Sequence, residues 1–402
     1  MKYRRVLGCL CSVAGLLSLE AITTPASAAK NTFEIYGFAQ ADLIYDANRV
    51  DPAWQDTLRP SKISPDPGTF GSNGITTFSA KQSRFGVKGD IPVGGDLGDL
   101  TFKFEFDAFG VGVDAGQTTI RFRHMYGEWG PLLAGQTNTL FMDADIFPNV
   151  IDYWGPPGMV FLRNPQFRLT PWKTADSHFS VALERPGNDV DPGQLREIDP
   201  DFGANVQSRS LLPDLTAQFY TKGSWGHFQI AGIARDLGFE TLHTLDNKPK
   251  GNRAGWGIDV TTGINTFDKD QIIAGVVYGD GIANYMNDGG IDLAAGGTPT
   301  DPHAVAVPLL GISAYYDHYW SKEWSTSLGY SFTQIDNTTL QAGDAFHKGE
   351  YASINLLYSP AANLLIGGEA LWGQRTDHDR NAGQDLRFQF SVKYSFGTKI
   401  EI

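Results

Sequence analysis

Cysteine is almost missing from this chain. Only Cys9 and Cys11 occur in 402 residues, so everything after the first dozen must hold together without disulfides. Long apolar runs are missing too. Hydrophobic residues make up 41% of the chain, yet nothing beyond the leader approaches the roughly 20 consecutive apolar residues of a spanning helix. Amphipathic helical periods of useful length are absent, which argues against an ordinary soluble α/β fold. Basic charge is in deficit: 32 Lys and Arg against 45 Asp and Glu leave a net −13, which excludes a nucleic-acid binder by bulk charge. The catalytic signatures are missing as well. There is no Gly-x-Ser-x-Gly and no phosphate-binding glycine loop, and the eight histidines are scattered without metal-ligand spacing, so no cofactor or metal is expected.

What is present is a leader followed by short alternating segments. Lys2, Arg4 and Arg5 precede an apolar stretch from Val6 to Leu19, and Ala26-Ser27-Ala28 offers small residues for cleavage. Residues 1–28 therefore read as a secretory signal and 29–402 as the exported unit. The leader carries three basic residues and Glu20, so its removal takes the net charge to about −15. Beyond it, 46 glycines, 15 tyrosines and 25 phenylalanines are spread through segments with a period of two, the signature of a transmembrane β-barrel.

The clearest strand is Leu100 to Ala108. Leu100, Phe102, Phe104, Phe106 and Ala108 share one face; Thr101, Lys103, Glu105 and Asp107 share the other. The last strand repeats this pattern from Leu386 to Phe396, and Gly397 to Ile402 extends beyond it. In a soluble sandwich the phenyls would face a core; in a barrel they face lipid and the charges face an aqueous lumen. One strand cannot separate those readings, but the connections can. Sixteen strands are expected, joined alternately by short turns and long loops. The long ones fall at Asp46–Ile75, Asn138–Asn164, Pro186–Pro213, Leu237–Arg253, Ile282–Pro308, Asp336–Gly349 and Gln374–Gln384. One-sided loop length is the rule for outer-membrane barrels, and a sandwich has no reason to obey it. Five of nine tryptophans, Trp129, Trp172, Trp225, Trp320 and Trp324, lie at or beside short turns, as a headgroup-level girdle would require.

The stretch from Thr118 to Thr170 organises the chain. A strand with alternating arginines, Thr119 to Arg123, turns back at Glu128-Trp129-Gly130-Pro131. After Gln136 come some 27 residues, 138–164, rich in Asp, Pro and Gly and with no strand period; a new strand follows at Gln166 to Thr170. This loop is expected to fold into the lumen. By strand parity Arg84, Lys88, Lys103, Arg121, Arg123, Arg168 and Arg387 point inward. An arginine on the lipid face would cost roughly 2–4 kcal/mol at mid-depth, so the lumen is their place. They form a candidate basic wall, with Asp143, Asp145 and Asp152 of the loop facing it. Such a transverse field selects small charged solutes. The competing reading is that each arginine is paired with Glu105, Asp107 or a loop acid and serves rigidity. At the level of function, the alternatives to a channel are a plugged structural or adhesion barrel, and a rim enzyme using His347 or His378.

Several segments carry a family resemblance: Arg123-His124-Met125-Tyr126-Gly127-Glu128-Trp129, Leu133-Ala134-Gly135-Gln136-Thr137, Phe141-Met142-Asp143 and Phe161-Leu162-Arg163-Asn164-Pro165-Gln166. With Ser83-Arg84-Phe85-Gly86, Pro213-Asp214-Leu215 and Trp225 to Gly232, the sequence resembles the DcaP-like porins of Gram-negative outer membranes over nearly its whole exported length. The resemblance implies a sixteen-stranded, trimeric barrel set in outer-membrane lipid and lipopolysaccharide. It further implies a pore narrowed by the inner loop that passes small anionic solutes, dicarboxylates among them.

Overall fold

The computed structural model describes residues 30–95, 97–110, 119–198 and 200–402; the expected leader, 1–28, and Asp199 lie outside the described residues. Sixteen antiparallel strands close on themselves. The chain enters through β1 (Thr32–Asp46), a broken β2 (Ile75–Ser79 and Arg84–Ile91), β3 (Leu100–Gly110) and β4 (Thr119–Trp129). Then follow β5 (Leu132–Asn138), β6 (Arg163–Lys173), β7 (Ser177–Glu184), β8 (Asp214–Gly223) and β9 (Gly226–Thr241). The next are β10 (Gly251–Asn265), β11 (Gln271–Asp280), β12 (Pro308–Tyr319) and β13 (Trp324–Ile335). The series ends with β14 (Phe346–Ala361), β15 (Leu364–Asp377) and β16 (Ala382–Glu401). β16 pairs with β1 from Thr32↔Glu401 to Asp46↔Arg387, which removes the open edges that a sheet cannot expose to hydrocarbon. The tail beyond Phe396 is thus strand as far as Glu401, and Asn31 and Ile402 exchange backbone hydrogen bonds of 3.1 and 3.0 Å.

The alternation read from sequence is the alternation of the wall. Phe104 is 46% exposed on the outside, whereas its neighbour Glu105 is 3% exposed within. Trp129, Trp172, Trp225, Trp320 and Trp324 are all exposed at the short-turn end. The turn between β4 and β5 is made by Gly130 at φ 56, where a side chain would be strained, and Pro131. Two expected loops need new bounds: strands β9 and β10 run to Thr241 and from Gly251, so the loop expected at Leu237–Arg253 is 242–250. Strands β15 and β16 run on to Asp377 and from Ala382, so the long loop expected at Gln374–Gln384 is a short turn at 378–381. The loop after β11 is long as expected, and it contains a hairpin, Leu293–Thr298 with Asp301–Ala306, paired in turn with Val190–Asp191. Polar and small residues with weak alternation hide that hairpin in the sequence.

Phe104→Arg is expected to hinder insertion by about 2–4 kcal/mol, because the new charge would sit in lipid. Lys103→Gln, on the opposite face, is expected to fold. Equal folding yields of both variants in lipid vesicles, read by the gel shift of the unheated barrel, would show the assigned faces to be wrong.

Candidate functional site

The loop between β5 and β6, residues 139–162, folds into the lumen because the wall supplies partners for its backbone. A buried loop must satisfy its own N–H and C=O groups. Glu184 of β7 accepts from Thr139 Oγ1 (2.8 Å) and Leu140 N (3.0 Å) and turns the chain inward. Asp143 caps the 3₁₀ turn Ala144–Ile146, while its other oxygen accepts from Thr261 Oγ1 (2.6 Å) and meets His227 Nε2 at 3.1 Å. Asp317 accepts from Asn149 N (3.1 Å), and Glu369 accepts from Ile151 N (2.9 Å). Gly158 N donates to Ser331 Oγ at 2.9 Å. A Cβ at Gly158 would lie 2.2 Å from Phe332 O and 2.3 Å from Ile312 O, so the loop can press against β12 and β13 only with glycine there.

Apolar side chains do the rest. Phe141, Val160, Ile233, Val277 and Leu309 belong to one buried cluster; Ile146, Met159, Ile273, Tyr315 and Leu371 belong to a second. Both glue the loop to the β9–β15 side of the barrel. Open space is left on the opposite side, along β1 to β5. Two of its cavities border the inner loop. The upper one, about 610 Å³, is lined from the long-loop side by Arg59, Lys62, Trp154 and Asp288 and reaches Arg121. The lower one, about 350 Å³, is lined by Phe38, Arg84, Arg123, Phe147 and Lys393. Tyr153, Phe161 and Arg163 line both, so these three side chains stand at the boundary between them, the candidate aperture.

The expected basic wall is assembled in part. Arg84 (3.6 Å), Lys103 (3.4 Å) and Arg123 (2.7 Å) converge on Glu105; Arg121 and Arg123 each reach Asp107 at 2.9 Å. Four cations therefore share two carboxylates. Tyr153 of the loop inserts its hydroxyl among them: it donates to Asp107 and accepts from Arg123 Nη1 at 2.7 Å, with Arg121 on the same oxygen. Burial pushes the Tyr153 phenol above its ordinary range, against the pull of Arg123 and Arg121, so it stays neutral and can donate. Lys88 sits lower, paired with Glu34 at 3.1 Å.

Other expected members stand elsewhere. Arg168 is bonded to Gln166 Oε1 (3.0 Å) and Asn138 O (2.7 Å) and lines a separate cavity near the short turn 174–176. Arg387 is fully buried behind the loop, bonded to Asp46 at 2.5 and 3.0 Å, out of contact with the two cavities. Of the loop acids, Asp145 is exposed and accepts from Tyr220 at 2.8 Å. Asp143 and Asp152 are buried, Asp152 accepting from Thr57 Oγ1 (3.0 Å) and Leu58 N (3.1 Å). These two fasten the loop; Asp152 also lines the lower cavity with Arg84 and Arg123, and Asp143 lines the separate cavity of Arg168.

Three contributors escaped the sequence reading. Arg163 lies at the aperture with its guanidinium 4.8 Å over the Phe161 ring; its Nε has no hydrogen-bond partner, and among the described residues no carboxylate pairs with it. Lys393, in no ion pair among the described residues, lies 5.5 Å over Phe38. His124 points inward because a bulge at Arg123 and His124 places two residues opposite Glu105, which shifts the alternation between Phe122 and Met125. His124 is held by Thr137 at 3.0 Å. Among the described residues no group of His, Cys, Asp or Glu has an arrangement that could hold a metal ion.

A closed sixteen-strand barrel with an apolar exterior, an inward loop and cavities left beside it is an outer-membrane channel of the porin class. The chain belongs to the DcaP outer membrane protein family, whose model matches residues 18–396. Among solved structures it is similar to the outer membrane channel DcaP of Acinetobacter baumannii, at 22% identity and a TM-score of 0.77 over 92% of this chain and 99% of that one. An anion-selective porin from Comamonas acidovorans matches at 8% identity and a TM-score of 0.59, over 91% of this chain and all, 100%, of the other. OmpT of Vibrio cholerae matches at 12% and 0.54, over 91% and 98%. At these identities the likeness shows the shared fold. No curated protein matches the sequence.

Proposed function

We propose that the channel passes small anions by passive diffusion, dicarboxylates among them. The observation that supports this is the charge balance at the aperture. Glu105 and Asp107 face four cations, and among the described residues Arg163 and Lys393 form no ion pair, with Asp152 the one further carboxylate among the lining residues of the lower cavity. The excess is positive where the loop divides the two cavities. Even in bulk water a unit charge attracts another by about 1 kcal/mol at 4 Å, a local enrichment of about fivefold. Salt screens this beyond about 10 Å at 0.1 M, so selectivity is expected to be local to the aperture and to weaken with ionic strength. A dianion gains twice from the same field. The apolar exterior meets outer-membrane lipid and lipopolysaccharide, and the barrel assembles as a homotrimer, as OmpT of Vibrio cholerae does in its trimer form.

Arg163→Gln tests this reading most cleanly, because no pairing is broken. The variant is expected to fold and conduct, with its anion-to-cation permeability ratio lowered about fivefold in planar bilayers at low salt. An unchanged ratio would mean that the aperture charge does not set selectivity. A plugged structural barrel would instead give no ion steps from correctly folded protein.

A further inference from the structure

The lower cavity is not lined as a simple passage for hydrated ions. Phe38 projects from the lumen face of β1, and Phe147 and Phe161 project from the inner loop, all three half-exposed to the same space. A phenyl directed into water from the polar face of a barrel strand is unfavourable unless something apolar covers it. Phe147 and Phe161 lie 5.5 Å apart with their planes tilted by 52°; both rest in part on the buried clusters and also line the cavity. The cations of the same cavity lie over aromatic faces: Arg163 4.8 Å over Phe161, Arg84 5.2 Å and Lys393 5.5 Å over Phe38. Positive charge and ring faces are thus presented together on both sides of the cavity. Its volume, about 350 Å³, lies within the range of pockets that hold a small organic ligand.

Resting on the anion-preferring reading above, we infer that this cavity is a binding site for aryl carboxylates. The carboxylate is taken by the guanidinium of Arg163, which among the described residues forms no ion pair, with Lys393 as the second cation; both line the cavity. The ring lies against Phe147 and Phe161 on the loop side and Phe38 on the wall side. An aliphatic dicarboxylate of similar length uses the cations but leaves the three phenyls wet. A monocarboxylate with an aromatic ring satisfies both sets. The chemistry selects for a flat π-system with one anionic group, and no covalent step is involved.

The test uses the full protein reconstituted in planar bilayers and compares benzoate with cyclohexanecarboxylate, which has the same charge and a similar bulk but no π face. Benzoate is expected to interrupt single-channel current with a dwell time about fivefold longer than cyclohexanecarboxylate, and acetate to give no resolved events. Phe38→Leu and Phe161→Leu, each of which keeps an apolar side chain, are expected to reduce the benzoate dwell time to that of cyclohexanecarboxylate. Equal dwell times in the unmodified protein overturn the inference, and this comparison decides even where a variant fails to fold. Benzoate events unaffected by both substitutions overturn it as well. The reversal potential in KCl reports anion preference separately. A channel can therefore prove anion-selective without an aryl site, or cation-selective, which would remove the reading on which the site rests.

Discussion

Arg387→Leu is expected to destabilise the barrel by about 3–5 kcal/mol, the cost of leaving a buried carboxylate without its counter-ion. Arg387 has no exposed surface, donates to Asp46 at 2.5 and 3.0 Å and to Gln55 O at 3.0 Å, and stands 3.9 Å from Asp152 of the inner loop. It therefore joins the β1–β16 seam to the loop after β1 and to the constriction. Leucine would leave Asp46 and Asp152 buried beside an apolar side chain. Replacing the pair together, Asp46→Leu with Arg387→Leu, is expected to recover only part of the loss, since Asp152 still faces the vacated place. Urea unfolding of vesicle-inserted protein measures both. A single variant as stable as the unmodified barrel would show that this pair contributes little to the seam.

Arg121→Gln combined with Arg123→Gln is expected to shift selectivity toward cations while leaving the barrel conducting. Glu105 and Asp107 would then face only Arg84 and Lys103, and Tyr153 would lose two of its donors. The wall would change from an excess of two positive charges to none, with only Arg163 and Lys393 left to favour anions. Arg123 is buried, so its loss carries a folding cost of about 3–5 kcal/mol that Arg121, partly exposed, does not share. Selectivity is therefore to be read on protein whose heat-modified gel shift shows a folded barrel. A reversal potential unmoved by the double substitution would mean that these arginines serve only to brace the wall.

Strand faces and loop asymmetry were legible in the sequence because both are local. A period of two places Phe104 outside and Glu105 inside, and a short turn is short whatever surrounds it. The constriction was legible only as a stretch without period. Its fastenings join residues far apart in the chain, such as Thr57 to Asp152 and Asn149 to Asp317, and no local pattern marks them. Asp143 and Asp152 read as pore acids from the sequence, and their role in anchoring the loop shows only in the folded chain. Parity gave the direction of Arg387 correctly but not its depth behind the loop, which depends on packing. Arg163 was lost for a different reason. It stands where loop becomes strand, so no alternation assigns it a face, and its lack of a partner is visible only in three dimensions. His124 was hidden by the bulge at Arg123, which breaks the period it would have been counted with.

The central claim, a positive excess at the aperture that makes the channel prefer anions, is tested most directly by the reversal potential of the unmodified protein in a planar bilayer under a KCl gradient of roughly tenfold at low ionic strength. The zero-current potential is expected to lie on the chloride side, moving toward zero as salt is raised. A potential on the potassium side, from channels shown to be folded, would contradict it.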